Sequence, residues 1–277
     1  MSNCYAVIGY PVEHSLSPMI HQLFALQTGV ILTYKKMMVQ PDGFEQHVAE
    51  FFRQGGKGLN ITLPYKERAF SFAAHVTSRC FKAKAANTLW QDENGIQADN
   101  TDGIGLLRDL AHYIDISGKD ILLLGAGGAA RGILGPLLAS NPAQLTLVNR
   151  TPEKARILSQ DFYPAINRSV SALDEAFDLV INATSTGLSK QDFALSSSIL
   201  KPTTVCYDLA YNINASTPFV AWGQDQGCTA IDGLGMLVEQ AAEAFSIWHG
   251  VMPDAASVLL HLRNSPGQTH ECSKNTI

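Results

Sequence analysis

Short apolar runs and amphipathic stretches alternate along almost the whole chain. Residues 5–9, 34–39 and 58–63 are runs of strand length, bounded by proline, glycine or polar clusters. Between the first two, Ile20, Leu23, Phe24 and Gln27 recur at helical spacing over residues 18–28, and Gly29 closes that helix. Between the second and third, Phe44, Val48, Phe51 and Phe52 face inward on a helix over about residues 43–53. Such a β-α-β-α-β run predicts a mainly parallel sheet whose C-terminal strand ends face a ligand cleft. The second half repeats the alternation. Residues 104–113 are apolar at helical period, strands are expected over 121–124, 144–148, 177–181, 205–209 and 229–231, and helices over 218–225 and from 236 to about 249. The fold class is therefore α/β in two domains. A mostly parallel N-terminal domain covers residues 1–101, completed by C-terminal helices within 236–262, and a Rossmann-type domain covers 102–235. The polar tail over 264–277 is expected to be disordered.

The run from Ile121 to Leu124 is wholly apolar and stops at Gly125-Ala126-Gly127-Gly128-Ala129-Ala130-Arg131. This reads as a buried parallel strand feeding a glycine turn and then a helix. Gly125 allows the tight turn, Gly127 lets a pyrophosphate approach the backbone, and Ala130 stands where the dinucleotide fingerprint takes Gly or Ala. The phosphate would lie on the helix N-terminus. A glycine pattern alone is weak, and the next strand strengthens it. That strand ends at Asn149-Arg150-Thr151, where an NAD site usually holds Asp or Glu against the ribose 2′-hydroxyl. Arg150, with Lys154 one helical turn later, suits a 2′-phosphate instead, and its guanidinium plane can lie over an adenine. NADP is thus expected rather than NAD. The plainer reading is a solvated helix start, but cations are disfavoured there unless an anion is near. Pro136 falls inside the following helix, so a kink is expected. Asn182-Ala183-Thr184-Ser185-Thr186-Gly187 is a polar turn suited to ribose and phosphates, or a satisfied loop. Gly235 is read as letting the backbone approach a nicotinamide, and Met236 is as readily core as cofactor contact.

Composition changes little in this picture but excludes several classes. The chain has 277 residues, enough for two domains, with 46% hydrophobic and 16% charged residues, a globular balance. A net charge of −5 gives no footprint for nucleic acid. No apolar run reaches the roughly 18 residues of a membrane span. The N-terminal sequence has no basic region followed by a long apolar segment, so no signal peptide is expected. Cys4, Cys80, Cys206, Cys228 and Cys272 are odd in number and never spaced C-x-x-C, which reads as free thiols of a reducing cytoplasm. The histidines show no metal-ligand spacing, and no catalytic metal is expected.

Candidate chemistry clusters after the strands. Ser15 and Ser17 share one side if their segment is extended, so two hydroxyls can converge on one ligand. Taken alone, Ser17 before Pro18 reads first as an N-cap. Asn60 and Thr62 share one face of a strand, and Lys66 follows Pro64. Amide, hydroxyl and ammonium together suit a small, polyhydroxylated, anionic ligand. Asn100-Thr101-Asp102-Gly103 is by default a turn and helix start, and Asp102 there would be a stabilised anion able to partner a nearby ammonium.

These blocks, with Gly9-Tyr10-Pro11, His14 to Pro18, Asn87-Thr88, Tyr207-Asp208, Tyr211, and Asp232 to Met236 with Gln240, occur in one order and together resemble the shikimate dehydrogenase family. The resemblance implies reversible, NADP-linked interconversion of 3-dehydroshikimate and shikimate. It implies that Ser15 and Ser17 bind the substrate carboxylate with help from Tyr211, while Asn60, Thr62, Asn87, Asp102 and Gln240 hold ring hydroxyls. Lys66 and Asp102 would form the catalytic pair. Which of the two moves the proton stays open at this stage. The cofactor would be held by Gly125, Ala126, Gly127, Gly128, Ala129, Asn149, Arg150, Thr151, Lys154, Thr184, Leu209, Gly233 and Met236. The family commonly has glycine where Lys84 stands. Two other readings stay open: a quinate/shikimate dehydrogenase of broader specificity, and a non-catalytic NADP-binding module. Arg150, paired Ser15 and Ser17, and intact Lys66 and Asp102 weigh against them. The expected partner is a small molecule, with neither nucleic acid nor membrane, in a monomer or homodimer.

Overall fold

Two six-stranded sheets carry the architecture of the protein, a computed structural model that describes residues 3–184 and 195–264. Ser185 to Gly187 of the polar turn, and the tail beyond Asn264 with Cys272, lie outside the described residues. The first sheet holds β1 (Cys4–Gly9), β2 (Thr33–Met38), β3 (Gly58–Ile61), β4 (His75–Val76), β5 (Thr88–Asp92) and β6 (Gly95–Asp99), in the order β2-β1-β3-β5-β6-β4. Helices α1 (Ser17–Thr28), α2 (Phe44–Arg53), α3 (Lys66–Phe72) and α4 (Ser78–Ala83) connect them. β1 pairs in parallel with β2 and β3, as helical crossovers require. Alternate residues serve the two faces. Ala6, Ile8, Leu59 and Ile61 pack against Phe44, Val48 and Phe52 of α2, which leaves Asn60 on the opposite face. Each such buried large side chain contributes roughly 1.5–3 kcal/mol.

Three details differ from the pattern-based expectation. β5 runs antiparallel to both β3 and β6, forming a hairpin that the periodicity does not announce. β3 ends at Ile61, so Thr62 lies in the turn after the strand rather than on its face. Ser17 is not an N-cap: α1 begins at Ser17, and Leu16 before it already has helical dihedrals, φ −87° and ψ −5°. Instead the Ser15 hydroxyl oxygen accepts the Ser17 N–H at 3.3 Å.

The second half begins with α5 (Asp102–Leu110) and holds β7 (Asp120–Leu124), α6 (Gly128–Ala139), β8 (Gln144–Val148), α7 (Pro152–Asp161), β9 (Ile166–Asn167), β10 (Phe177–Asn182), β11 (Leu200–Asp208), α8 (Pro218–Asp225) and β12 (Thr229–Ile231). Its sheet runs β12-β11-β10-β7-β8-β9 with every pair parallel. Counted from its own first strand this is the doubly wound order 3-2-1-4-5-6, whose ligand crevice opens where the order reverses, between β7 and β10. Apolar side chains cover both faces. Ile121 and Leu123 meet α6 through Ile133, Leu134 and Leu137, while Leu122 and Leu124 meet Val180 and Cys206 on the other side. β11 starts five residues earlier than its apolar run suggests. Pro136 does not break α6, which continues to Ala139 with the proline ring seated on Gly103 of α5.

The chain then returns to the first sheet through α9 (Leu234–His249) and α10 (Ala255–Asn264). Val238, Ala241 and Phe245 of α9 pack on Ile20 and Phe24 of α1. α5 and α9 also lie directly against each other, because Gly105 has no side chain to hold Gln240 away. Among the described residues no helix is long and apolar enough to cross a membrane.

Candidate active site

A cleft of about 710 Å³ lies between the C-terminal strand ends of the two sheets. Ser15, Ser17, Asn60, Thr62, Lys66, Asn87, Asp102, Tyr211 and Gln240 line one part of it. Gly125, Ala126, Gly127, Gly128, Ala129, Asn149, Arg150, Thr151, Lys154, Thr184, Leu209, Gly233 and Met236 line the other. The cleft thus brings together the substrate and cofactor residues that the family resemblance implies, together with His14, Ala210 and Asn212, for which it implies no role.

At the junction of the two parts, Lys66 Nζ donates to Asp102 Oδ2 at 2.6 Å, with the two side chains only 13% and 5% exposed. Lys66 opens α3 and Asp102 opens α5, so the carboxylate sits where the helix dipole favours an anion. Asn87 Nδ2 donates to Asp102 Oδ1 at 2.9 Å and lies 3.1 Å from Gln240 Oε1. Asn87 Oδ1 accepts the Thr101 N–H at 2.9 Å. One asparagine therefore ties β5, the start of α5 and α9 into a single polar cluster. Lys84 precedes it in the left-handed region, φ 50°, the conformation that a glycine adopts most easily.

Toward the other end of this part, the Ser15 hydroxyl donates to Ser17 Oγ at 3.1 Å. The two hydroxyls converge, though through a helical Leu16 rather than by extended alternation. Tyr211 comes from the loop after β11 and lines the same part of the cleft, and burial pushes its phenol pKa up. Tyr34, which sequence reasoning missed, donates to Asn60 Oδ1 at 2.7 Å, and burial pushes its phenol pKa up. Its only sequence signal is a tyrosine in a half-polar edge strand, which is an ordinary occurrence.

Family models match in three blocks: a shikimate dehydrogenase substrate binding domain over residues 7–89, a shikimate/quinate 5-dehydrogenase over 108–210, and a shikimate 5′-dehydrogenase C-terminal domain over 233–259. A curated shikimate dehydrogenase (NADP(+)) from Legionella pneumophila strain Philadelphia 1 is 56% identical over 94% of this chain and 98% of its own. The chain belongs to the shikimate dehydrogenase family. Among solved structures, an Ael1 enzyme from Pseudomonas putida superposes with a TM-score of 0.86 at 42% identity, covering 94% of this chain and 98% of that one. A shikimate 5-dehydrogenase from Thermus thermophilus, in complex with NADP(H) and shikimate, gives 0.85 at 30% identity over 96% of this chain and 100% of its own.

The cofactor side of this shikimate dehydrogenase family member has the shape and chemistry a dinucleotide needs. Gly125 has φ +112°, and a side chain there would sit 2.8 Å from the Ala183 carbonyl oxygen, so the turn accepts only glycine. A Cβ on Gly127 would meet nothing within 4 Å, which leaves open space of the kind a pyrophosphate needs, beside first-turn N–H groups of α6 that no helix carbonyl can reach. Arg150 and Lys154 are exposed and both line the cleft, cations of the kind an additional phosphate needs. The residues present therefore fit NADP.

One expectation needs correction here. Gly235 does not line the cleft; a side chain there would lie 2.1 Å from the Asp109 carboxylate, so its smallness serves the packing of α9 on α5. The Thr184 hydroxyl and N–H both donate to Asn182 Oδ1, at 2.7 and 3.2 Å, so this stretch of the polar turn is internally satisfied while still lining the cleft. Asn182 Nδ2 donates to Asp208 Oδ1 at 3.0 Å, and the Thr217 hydroxyl donates to Asp208 Oδ2 at 2.6 Å. Burial raises the Asp208 pKa, and these hydrogen bonds oppose that rise. Among the described residues no group of side chains could hold a metal ion.

Proposed function

We propose that this chain is an NADP-dependent shikimate dehydrogenase, interconverting 3-dehydroshikimate and shikimate in aromatic amino acid biosynthesis. The observation that carries the reading is the Lys66–Asp102 pair set directly against the glycine turn. A Cβ on Gly128 would lie 3.4 Å from Lys66 Cβ, so the polar pocket and the cofactor cradle meet at this pair. When bound, NADP supplies the hydride acceptor at its nicotinamide, and NADPH the donor.

The chain's own residues do the rest. Lys66 has two further N–H donors beyond the one given to Asp102, enough to hold the reacting oxygen of the substrate. As negative charge develops on that oxygen, Lys66 Nζ delivers a proton to it, and Asp102 keeps the ammonium aimed. Asp102 retains unused lone pairs for a neighbouring ring hydroxyl. Asn60, Thr62, Asn87 and Gln240 hold the other hydroxyls, and Ser15, Ser17 and Tyr211 hold the carboxylate. On the cofactor side, the α6 N-terminus holds the pyrophosphate and Arg150 with Lys154 the 2′-phosphate.

The working unit is a monomer or homodimer in the cytoplasm. The thiols of Cys4, Cys80, Cys206 and Cys228, all unpaired in disulfides, are in keeping with that compartment. The substrate domain is assigned to residues 1–101 with 236–262, and the cofactor domain to 102–235. The deciding assay is nicotinamide reduction by the purified protein with shikimate or quinate, each offered with NADP or NAD. Turnover confined to shikimate with NADP is expected. Comparable turnover with quinate or NAD would move the reading to a broader-specificity enzyme, and no turnover in any combination would leave a binding module.

A further inference from the structure

Behind the cleft, one carboxylate joins the elements that carry the pocket. Glu243 of α9 accepts Arg79 Nη1 and Nη2 on Oε1, both at 3.0 Å, and Arg108 Nη2 on Oε2 at 2.8 Å. Arg79 of α4 also donates to Asp99, through Nε at 2.8 Å and Nη2 at 2.6 Å. Asp99 ends β6 and accepts the Asn100 N–H at 2.7 Å, which holds the turn leading into Asp102. Arg108 sits on α5, the helix that Asp102 opens. Gln240 lies three residues before Glu243, on the same face of α9, with Oε1 accepting from Asn87 Nδ2 at 3.1 Å and Thr101 Oγ1 at 3.3 Å.

We infer that Glu243 is a positioning residue for the ring-hydroxyl side of the pocket: by joining Arg79 to Arg108 it fixes α9 against β6 and α5, and so sets Gln240 against Asn87 and Asp102. The inference rests on the proposed shikimate site. The Glu243 side chain is 16% exposed and its two arginines 31% and 35%, so water screens these pairs less than it screens surface pairs. Losing Glu243 orphans neither arginine. Arg79 keeps Asp99, and Arg108 lies 3.9 Å from Glu239, so the fold retains its charge balance while the tie between the elements is lost.

The test is a double-mutant cycle on the full chain: wild type, Glu243→Ala, Gln240→Ala and the double variant, assayed with shikimate and NADP. Glu243→Ala is expected to raise the shikimate KM about tenfold and to leave the NADP KM within about twofold. Its melting temperature should stay within about 3 °C of wild type. Glu243→Gln should show part of the loss, because the amide oxygen still accepts from one arginine. In the Gln240→Ala background the further change should be under about twofold, since the residue acts through Gln240. An unchanged shikimate KM, or the same rise in both backgrounds, overturns the inference. A joint loss of kcat, both KM values and thermal stability does so too, as the mark of a merely structural residue. Wild-type protein that fails to turn over shikimate would overturn the proposed function and this inference with it; active wild type without coupling overturns the inference alone.

Discussion

Lys66 and Arg150 are both cations lining one cleft, yet their surroundings assign them different work. Lys66 is nearly enclosed and bound to Asp102 at 2.6 Å, a geometry that fixes where its remaining protons point. Replacing it by alanine removes the proposed proton donor but leaves the hydroxyl, amide and carboxylate groups of the pocket in place. Lys66→Ala should therefore lower kcat by about 10²- to 10⁴-fold and raise the shikimate KM far less. Steady-state kinetics decide this, and an unchanged kcat would take Lys66 out of the mechanism. Arg150 is exposed beside the cradle, where its guanidinium can pair with the extra phosphate that NADP carries and NAD lacks. Arg150→Ala should raise the KM for NADP about 10- to 100-fold while leaving any weak NAD activity within about threefold. Equal losses with both cofactors would mean that the arginine holds the fold of the turn rather than the phosphate.

At the scale of elements, the cofactor half is the more legible in the sequence. Ile121–Leu124 is buried on both faces, so an unbroken apolar run ending at glycine is nearly all the pattern there is, and Leu145, Leu147 and Val148 mark the next strand up to Asn149. The β5–β6 hairpin escapes the periodicity because its outer residues, Gln91 to Asn94, are exposed and break the alternation, although Asn94-Gly95, where the loop enters β6, is a turn signal. The polar clusters around Lys66 and Asp102 can be read as motifs, and family resemblance gives them roles. The Arg79–Glu243 contact cannot be read, because its partners stand 164 residues apart and each alone is an ordinary surface charge. The packing of α5 on α9 is equally hidden, since Gly105 signals only a missing side chain. A Cβ there would lie 2.7 Å from both Gln240 Cβ and Gln240 N, and 2.9 Å from the Met236 carbonyl oxygen. Gly105→Ala must push the two helices apart, which should cost roughly 1–3 kcal/mol of stability. Because Gln240 moves with α9, the shikimate KM should rise as well. Urea unfolding together with the KM checks both, and a variant as stable as wild type would show that the helices can part without cost.

Across the whole molecule, the side of the first sheet that faces α1 and α9 buries an imidazole without a hydrogen-bond partner, and this couples stability to pH. His21 is fully buried; its ring stacks on Tyr34 at 4.4 Å and packs near Phe24, Phe245 and Trp248, and neither nitrogen is bonded. Desolvation lowers its pKa to about 3, with the nearby His249 adding in the same direction and Asn60 opposing. In the unfolded chain the ring titrates near 6.5. As pH falls below about 6.5 the unfolded state takes up a proton that the native state refuses until about 3, so this group removes stability at about 1.4 kcal/mol per pH unit in that window. His249, also lowered by burial, acts with the same sign. Asp109 and Asp208 act oppositely, because burial raises their pKa values and the native state then binds protons that the unfolded chain has lost. The raw stability curve therefore mixes both signs, but the difference between wild type and His21→Phe does not. Phenylalanine keeps the stack on Tyr34 and cannot titrate. Urea unfolding from pH 5 to pH 8 should show a stability difference that is level above about pH 7 and shifts in favour of the variant by about 1.4 kcal/mol per unit below about pH 6. Parallel curves would mean that His21 takes up its proton in the folded protein, and that this side of the sheet admits water or a shift of Asn60 to receive it.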